Sequence, residues 1–134
     1  MKSKAIVWVI KIVAAVIMLQ TLFYKFSANP ESVYIFTKLS LEPFGRIGIG
    51  IAELIASILL LIPKTSWLGA IMGVGIMAGA IFSHVFILGI EVMNDHGLLF
   101  ILALITFSCC ALILYLNREN ILNKFKTKNL KHVS

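Results

Sequence analysis

The chain is predicted to be an all-α integral membrane protein, a four-helix bundle with a short amphipathic helix between spans one and two. Three observations predict this. Sixty per cent of the 134 residues are hydrophobic, against about 45–50% in soluble domains. Four apolar runs each approach the roughly 20 residues that a helix needs to cross hydrocarbon. The charges and the three prolines cluster in the segments between and after those runs. The length fits one membrane domain, residues 1–134, with spans at about 5–24, 45–62, 67–90 and 98–116.

Span one is Ala5–Tyr24, about 30 Å of helix. Lys2 and Lys4 precede it as they would a signal peptide. The apolar run is longer than the usual roughly 7–15-residue core of such a signal, and Phe26-Ser27-Ala28 makes a poor cleavage site. The segment is therefore expected to stay as a span. Lys11 lies near its first end, where the stem can snorkel back to the interface. Gln20 is half a turn round the helix from Lys11 and does not share its face.

The connection Lys25–Phe44 is polar and too long for a tight turn. Asn29 suits an N-cap, Pro30 the first helical position and Glu31 the first turn. Val33, Phe36 and Leu39 fall near one face. A surface helix from about Pro30 to Ser40 follows, on the membrane or folded over the bundle. Glu42-Pro43 is expected to end it.

Span two runs from Gly45 to Ile62 and stops at Pro63. Arg46, Gly50, Glu53 and Ser57 make one stripe of charged and small residues, which should face other helices. A carboxylate such as Glu53 is costly in hydrocarbon and must meet a partner. The short turn Pro63–Ser66 makes span three, Trp67–Ile90, an antiparallel neighbour. Gly69/Gly73 and Gly75/Gly79 form two GxxxG pairs there, which assigns this span to the bundle centre. Trp67 suits the interfacial belt. His84 shares a face with Gly73, Met77 and Ala80.

The loop Glu91–Gly97 is acidic apart from His96, and Leu98–Leu116 is span four. Cys109 and Cys110 are adjacent, so they point about 100° apart and are poorly placed to bridge. They read as reduced packing residues. A basic tail, 117–134, accounts for much of the net charge of +6. Beside four spans the anionic headgroups of the bilayer are a simpler partner than nucleic acid, and the tail is expected to fix topology more than to recognise a specific lipid.

Positive charge sets the topology. Lys2, Lys4, Lys64, Arg118, Lys124, Lys126, Lys128 and Lys131 fall on one side, and Lys25 and Lys38 on the other, with Arg46 at its edge. Both termini are expected in the cytoplasm. Glu53 then lies about 10 Å inside the outer edge of span two, and His84 about 9 Å inside that of span three. The two reach similar depth, with Gln20 and Arg46 above them. Arg46 can reach the interface and needs no partner. Two readings follow. Glu53 and His84 satisfy each other, or bond Gln20, Ser57 or Ser83, and only set helix register. Otherwise they line an outward-facing pocket that binds a head group or exchanges protons with a quinone. There is no hydrolase signature, phosphate-binding glycine loop or metal spacing, and Glu53 with His84 alone makes a weak metal site.

Read in order, FYKFSANPES, EPFGRIGIG, ELIASILLLIP and GAIMGVGIMAGAIFSH resemble the DoxX and DoxX-like family of small four-span bacterial membrane proteins. The resemblance covers about Leu19–Leu116. It implies a four-helix bundle in the inner (plasma) membrane. Some members are tied to quinone-linked oxidation of thiosulfate, others to membrane complexes that handle oxidative or thiol stress. It supplies no catalytic set, so Glu53, His84, Arg46, Gln20 and Ser57 stand as ligand-binding candidates by position. The expected function is a redox-associated subunit with a quinone- or lipid-binding pocket, its electrons brought by a partner subunit. The alternatives are a non-catalytic interaction or assembly protein, alone or as a homo-oligomer, and a small-molecule or ion carrier.

Overall fold

A computed structural model describes residues 4–93, 95–119 and 121–123. Its long helices are α1 (Lys4–Phe26), α3 (Phe44–Leu61), α4 (Ser66–Ser83) and α5 (Leu98–Leu116), with the short α2 (Pro30–Lys38) between the first two. Four helical segments are long and apolar enough to cross a membrane, α4 being one together with the turns that flank it. Helix boundaries fall within a few residues of those expected from hydrophobicity. Residues 1–3, which include Lys2, and the tail from residue 124 onward lie outside the described residues.

The chain runs up, down, up and down. α1 packs against α3 and α5, and α4 packs against α3 and α5. The four spans thus occupy the corners of a square, and all four neighbouring pairs are antiparallel. α4 is a corner like the others, not the centre that its glycines suggested. Only its first half is tight. A methyl placed on Gly69 would lie 2.6 Å from the Leu60 backbone nitrogen and 2.7 Å from the Ala56 carbonyl oxygen of α3. Gly73 meets Cys110 of α5. Gly75 and Gly79 touch nothing that an added methyl would meet. Small residues permit close backbone approach, but here the second pair makes space instead.

The bundle consequently has two unlike halves. Toward the termini, Ala14, Ala56, Leu60, Ala70, Cys110 and Ile113 form a closed core. Met18, Met77 and Ala103 belong to that core and also floor a cavity above it. Around the outside, Ile6, Val9, Val16, Ile51, Ile58, Ile71 and Ile101 are exposed. An apolar surface this extensive is unusual on a soluble monomer and matches hydrocarbon chains as solvent.

α2 begins as expected. Asn29 caps it, its Oδ1 accepting from the Glu31 N–H at 3.0 Å. The helix ends at Lys38, earlier than Glu42-Pro43, because Ser40 adopts a left-handed conformation with φ 62°. It folds over the bundle end and packs against α1, α3 and the end of α4. Its inward face carries Ser32, Ile35, Phe36 and Leu39, a different set from the Val33, Phe36 and Leu39 suggested by spacing.

Span three does not stay α-helical to Ile90. His84–Leu88 forms a π-helical turn, closed by the Gly89 N–H donating to the His84 carbonyl at 2.8 Å. Gly89 then takes φ 85°, a region that glycine enters without side-chain strain. Such turns often mark functional positions.

The close α3–α4 approach is open to measurement. Gly69→Ala should cost about 1–3 kcal/mol, the usual price of overpacking. Gly75→Ala should be neutral or stabilising by up to about 1 kcal/mol, through helix propensity. Thermal melts of both variants in detergent check this. Equal melting points would show that the Gly69 contact does not hold the two helices together.

Candidate functional site: a largely apolar cavity beneath α2

A cavity of about 480 Å³ lies between the upper halves of the four spans and beneath α2. Its wall is mainly apolar, with Ile17, Ile49, Ile76, Leu99 and Leu102 among the lining residues. Polar clusters enter in two places, beside the separate side chains of Gln20, Tyr24 and Glu31.

The first is Glu53 on α3, only 3% exposed. Its Oε1 lies 3.0 Å from Lys25 Nζ, and its Oε2 accepts from the Thr21 hydroxyl at 2.8 Å. Thr21 and Lys25 are four residues apart on α1, so one face of the helix presents both. The Glu53 partner is therefore on α1, not the His84 expected from depth alone. Depth fixes height along the bundle, whereas the pairing is decided by which corners are adjacent. α1 and α3 pack side by side, and their facing stripes meet. Gln20, Lys25, Glu53 and His84 all line the cavity.

The second is His84, 5% exposed, at the start of the π-helical turn. Its Nδ1 lies 3.0 Å from the Gly89 carbonyl oxygen. A carbonyl can only accept, so Nδ1 carries the proton, and Nε2 of a neutral ring is an acceptor. The ring also meets Phe100 edge-on, with centroids 5.6 Å apart. Asp95, close enough to feel the His84 charge, lines the same wall. Its Oδ1 accepts from the Val92 and Gly97 N–H groups at 3.0 and 2.9 Å, and its Oδ2 from the Leu99 N–H at 3.1 Å. The carboxylate thereby organises the 89–97 loop and caps the start of α5.

Two expected ligand-binding residues are elsewhere. Ser57 is fully buried and donates to the Glu53 carbonyl within its own helix at 2.8 Å. Arg46, 7% exposed, does not escape to the interface. Its Nε binds both Glu42 oxygens, at 2.8 and 3.0 Å, and its Nη1 binds the Lys25 carbonyl oxygen. Neither residue is on the cavity wall. Arg46 is a positioning group, tying the loop before α3 to the end of α1 from which Lys25 reaches Glu53. Lys11, whose stem was expected to snorkel to the interface, is buried in the bundle at 7% exposure. Lys11 lies 4.9 Å from the Trp8 ring, one turn back toward the N-terminus. Cys109 and Cys110 are free thiols. Among the described residues no cluster of three His, Cys, Asp or Glu side chains could hold a metal.

Lys25, Thr21, Glu31 and Asp95 are site residues that sequence reasoning passed over. A signal for Lys25 existed: it stands one helical turn beyond Thr21, on a span that must face a buried acid. Comparison of the chain with protein-family models, with curated proteins and with solved structures gives no match.

The Glu53–Lys25 pair should behave as a coupled unit. Lys25→Met leaves a buried carboxylate without its cation and should cost about 3 kcal/mol, the low end for a broken buried pair. Adding Glu53→Gln should recover much of that loss. Strict additivity in the double-mutant melt would show that the pair is not coupled.

The α2 end also titrates. Burial, with repulsion from Asp95, raises the Glu31 pKa above its ordinary 4.5. Ionised Glu31 thus opposes folding, an effect absent below about pH 4.5 and complete above the raised value. Asp95 behaves oppositely. Burial would raise its pKa, but the N–H groups of Val92, Leu99 and Gly97 and the charge of His84 outweigh it and hold it below 3.8. Its stabilisation is present above pH 3.8 and is lost as pH falls through the lowered value. Relative to the native chain, Glu31→Gln should therefore melt higher at pH 7 than at pH 4. Asp95→Asn should melt lower at pH 7, with the gap closing only under strong acid. Melting curves across pH check both signs.

Proposed function

We propose that this multi-pass membrane protein is a DoxX-like, redox-associated subunit that holds a quinone, or a lipid with a similar head group, in the cavity beneath α2. The observation that carries the reading is the cavity itself. Its roughly 480 Å³ falls within the range typical of small-molecule sites. Its mainly apolar wall carries two separated groups that handle protons, Glu53 with Lys25 on one side and His84 with Asp95 on the other. α1, which carries Lys25, and α4, which leads into His84, stand at opposite corners of the square. A head group between them can receive a hydrogen bond from Lys25 and give one to the acceptor nitrogen of His84.

Reduction of a quinone to a quinol takes two electrons and two protons. The chain supplies the proton-handling side chains, and a partner subunit brings the electrons. Lys4, Lys64 and Arg118 at the opposite end of the bundle favour an inner-membrane orientation with both termini cytoplasmic. The cavity then belongs to the outer half of the membrane, with α2 as its cover.

A second reading has a specific observation behind it. Among the described residues, no buried side-chain nitrogen or oxygen lacks a hydrogen-bond partner. A self-satisfied polar cluster can serve purely to set packing in an interaction or assembly protein. The test uses purified protein in nanodiscs titrated with decylubiquinone. Binding should be saturable, and Glu53→Gln and His84→Ala should each weaken it about tenfold or more, as when a buried polar partner is lost, while the bundle still melts cooperatively. If both variants only lose stability and the native protein binds nothing, the assembly reading stands.

A further inference from the structure

The charges on the cavity wall restrict what can occupy it. On the reading that the cavity holds a lipid-soluble ligand, we propose that its ligand carries an uncharged carbonyl- or hydroxyl-bearing head group and that anionic head groups are rejected.

Among the described residues, three carboxylates line the wall, Glu31, Glu53 and Asp95, against one ammonium, Lys25, and one imidazole, His84. Each charge is already matched from within the chain. Glu53 is held by Lys25 and Thr21. Asp95 is held by three backbone N–H groups and lies in the field of His84. Glu31 is kept from ionising readily by burial and by Asp95. An incoming phosphate or carboxylate would find no uncommitted cation. Lys25 is engaged by Glu53, and Arg46 is turned away toward Glu42 and the Lys25 carbonyl. Lys38 lies 5.6 Å from the ring of Tyr34 on the exposed side of α2, outside the wall. The anion would instead face Glu31 and Asp95 across an apolar space, where repulsion is poorly screened. A lipophilic cation would have to draw Glu53 away from Lys25 or Asp95 away from its three backbone N–H groups.

An uncharged head group disturbs none of this. Lys25 retains N–H groups beyond the one aimed at Glu53. Gln20 and Tyr24 on α1 add an amide and a hydroxyl to the same wall. These suit carbonyl oxygens, and the Glu53 and His84 acceptors suit the hydroxyls of a reduced form. A quinone and a neutral glyceride share this chemistry.

Four probes separate the possibilities in nanodiscs of the full-length protein: decylubiquinone, dioctanoylglycerol, dihexanoyl phosphatidylglycerol and tetraphenylphosphonium. One or both neutral probes should bind, and which one does identifies the source of the head group. The anion and the cation should bind at least about tenfold more weakly, since like-charge contacts and displaced ion pairs are costly. Glu53→Gln frees Lys25 and should raise affinity for the anionic probe about tenfold. Glu31→Gln, which leaves the pair intact, should move it in the same direction. Equal or tighter binding of the anion or cation by the native protein would overturn the charge selection while leaving a ligand-binding cavity in place. Failure of all four probes to bind would overturn the cavity reading itself.

Discussion

Glu53 is a carboxylate placed in the middle of a helix that hydrocarbon should surround, and the upper half of the molecule is arranged to make that tolerable. Its two oxygens are divided between an ammonium and a hydroxyl from a single face of α1. The ammonium belongs to Lys25, whose own carbonyl is gripped by Arg46, and Arg46 is held in turn by Glu42. The result is a closed circuit. It leaves α3 at Glu53, crosses to α1, and returns to the start of α3 and the loop before it. An isolated charge there would carry a large desolvation cost. Linked this way, the charges lock α1 against α3 and fix the height at which the two helices meet.

Toward the termini the bundle is solid, and beside that circuit it is hollow. The change falls at Met18, Met77 and Ala103. Glycine accounts for much of it in two opposite ways. At Gly69 the missing side chain lets α4 press onto the α3 backbone, whereas at Gly75 and Gly79 an added methyl would meet nothing and the missing side chains leave space. The same motif therefore closes one half and opens the other, depending on whether a neighbouring helix lies opposite.

The end of α4 and the cover above it complete the chamber. The π-helical turn at His84–Leu88 brings the Gly89 carbonyl back onto the His84 ring and so fixes the tautomer. Asp95 fastens the following loop by accepting three backbone N–H groups, which also seats the first turn of α5. α2 closes the top through Phe36 and Ile35. Its Glu31 sits near Asp95, so the cover and the loop carry opposing carboxylates at their junction.

The spans, the antiparallel order, the Asn29 cap and the burial of Gly50, Glu53 and Ser57 along one stripe were all legible in the sequence. Hydrophobic runs and helical spacing are local properties, and hydrocarbon enforces them strongly. Depth along the bundle followed from the same arithmetic, which is why Glu53 and His84 do line one cavity. Which side chains meet across it was a tertiary decision. The square arrangement sets α1 beside α3, so Lys25 and Thr21 reach Glu53 first, and Arg46, thought free to reach the interface, is drawn inward by Glu42 and a helix-end carbonyl. Local patterns in the chain set which segments are long and apolar enough to cross a membrane and how far along each one a charge lies. Only the tertiary structure decided which charges face each other, because the angular order of four helices depends on packing between residues far apart in the chain, and no local pattern encodes it.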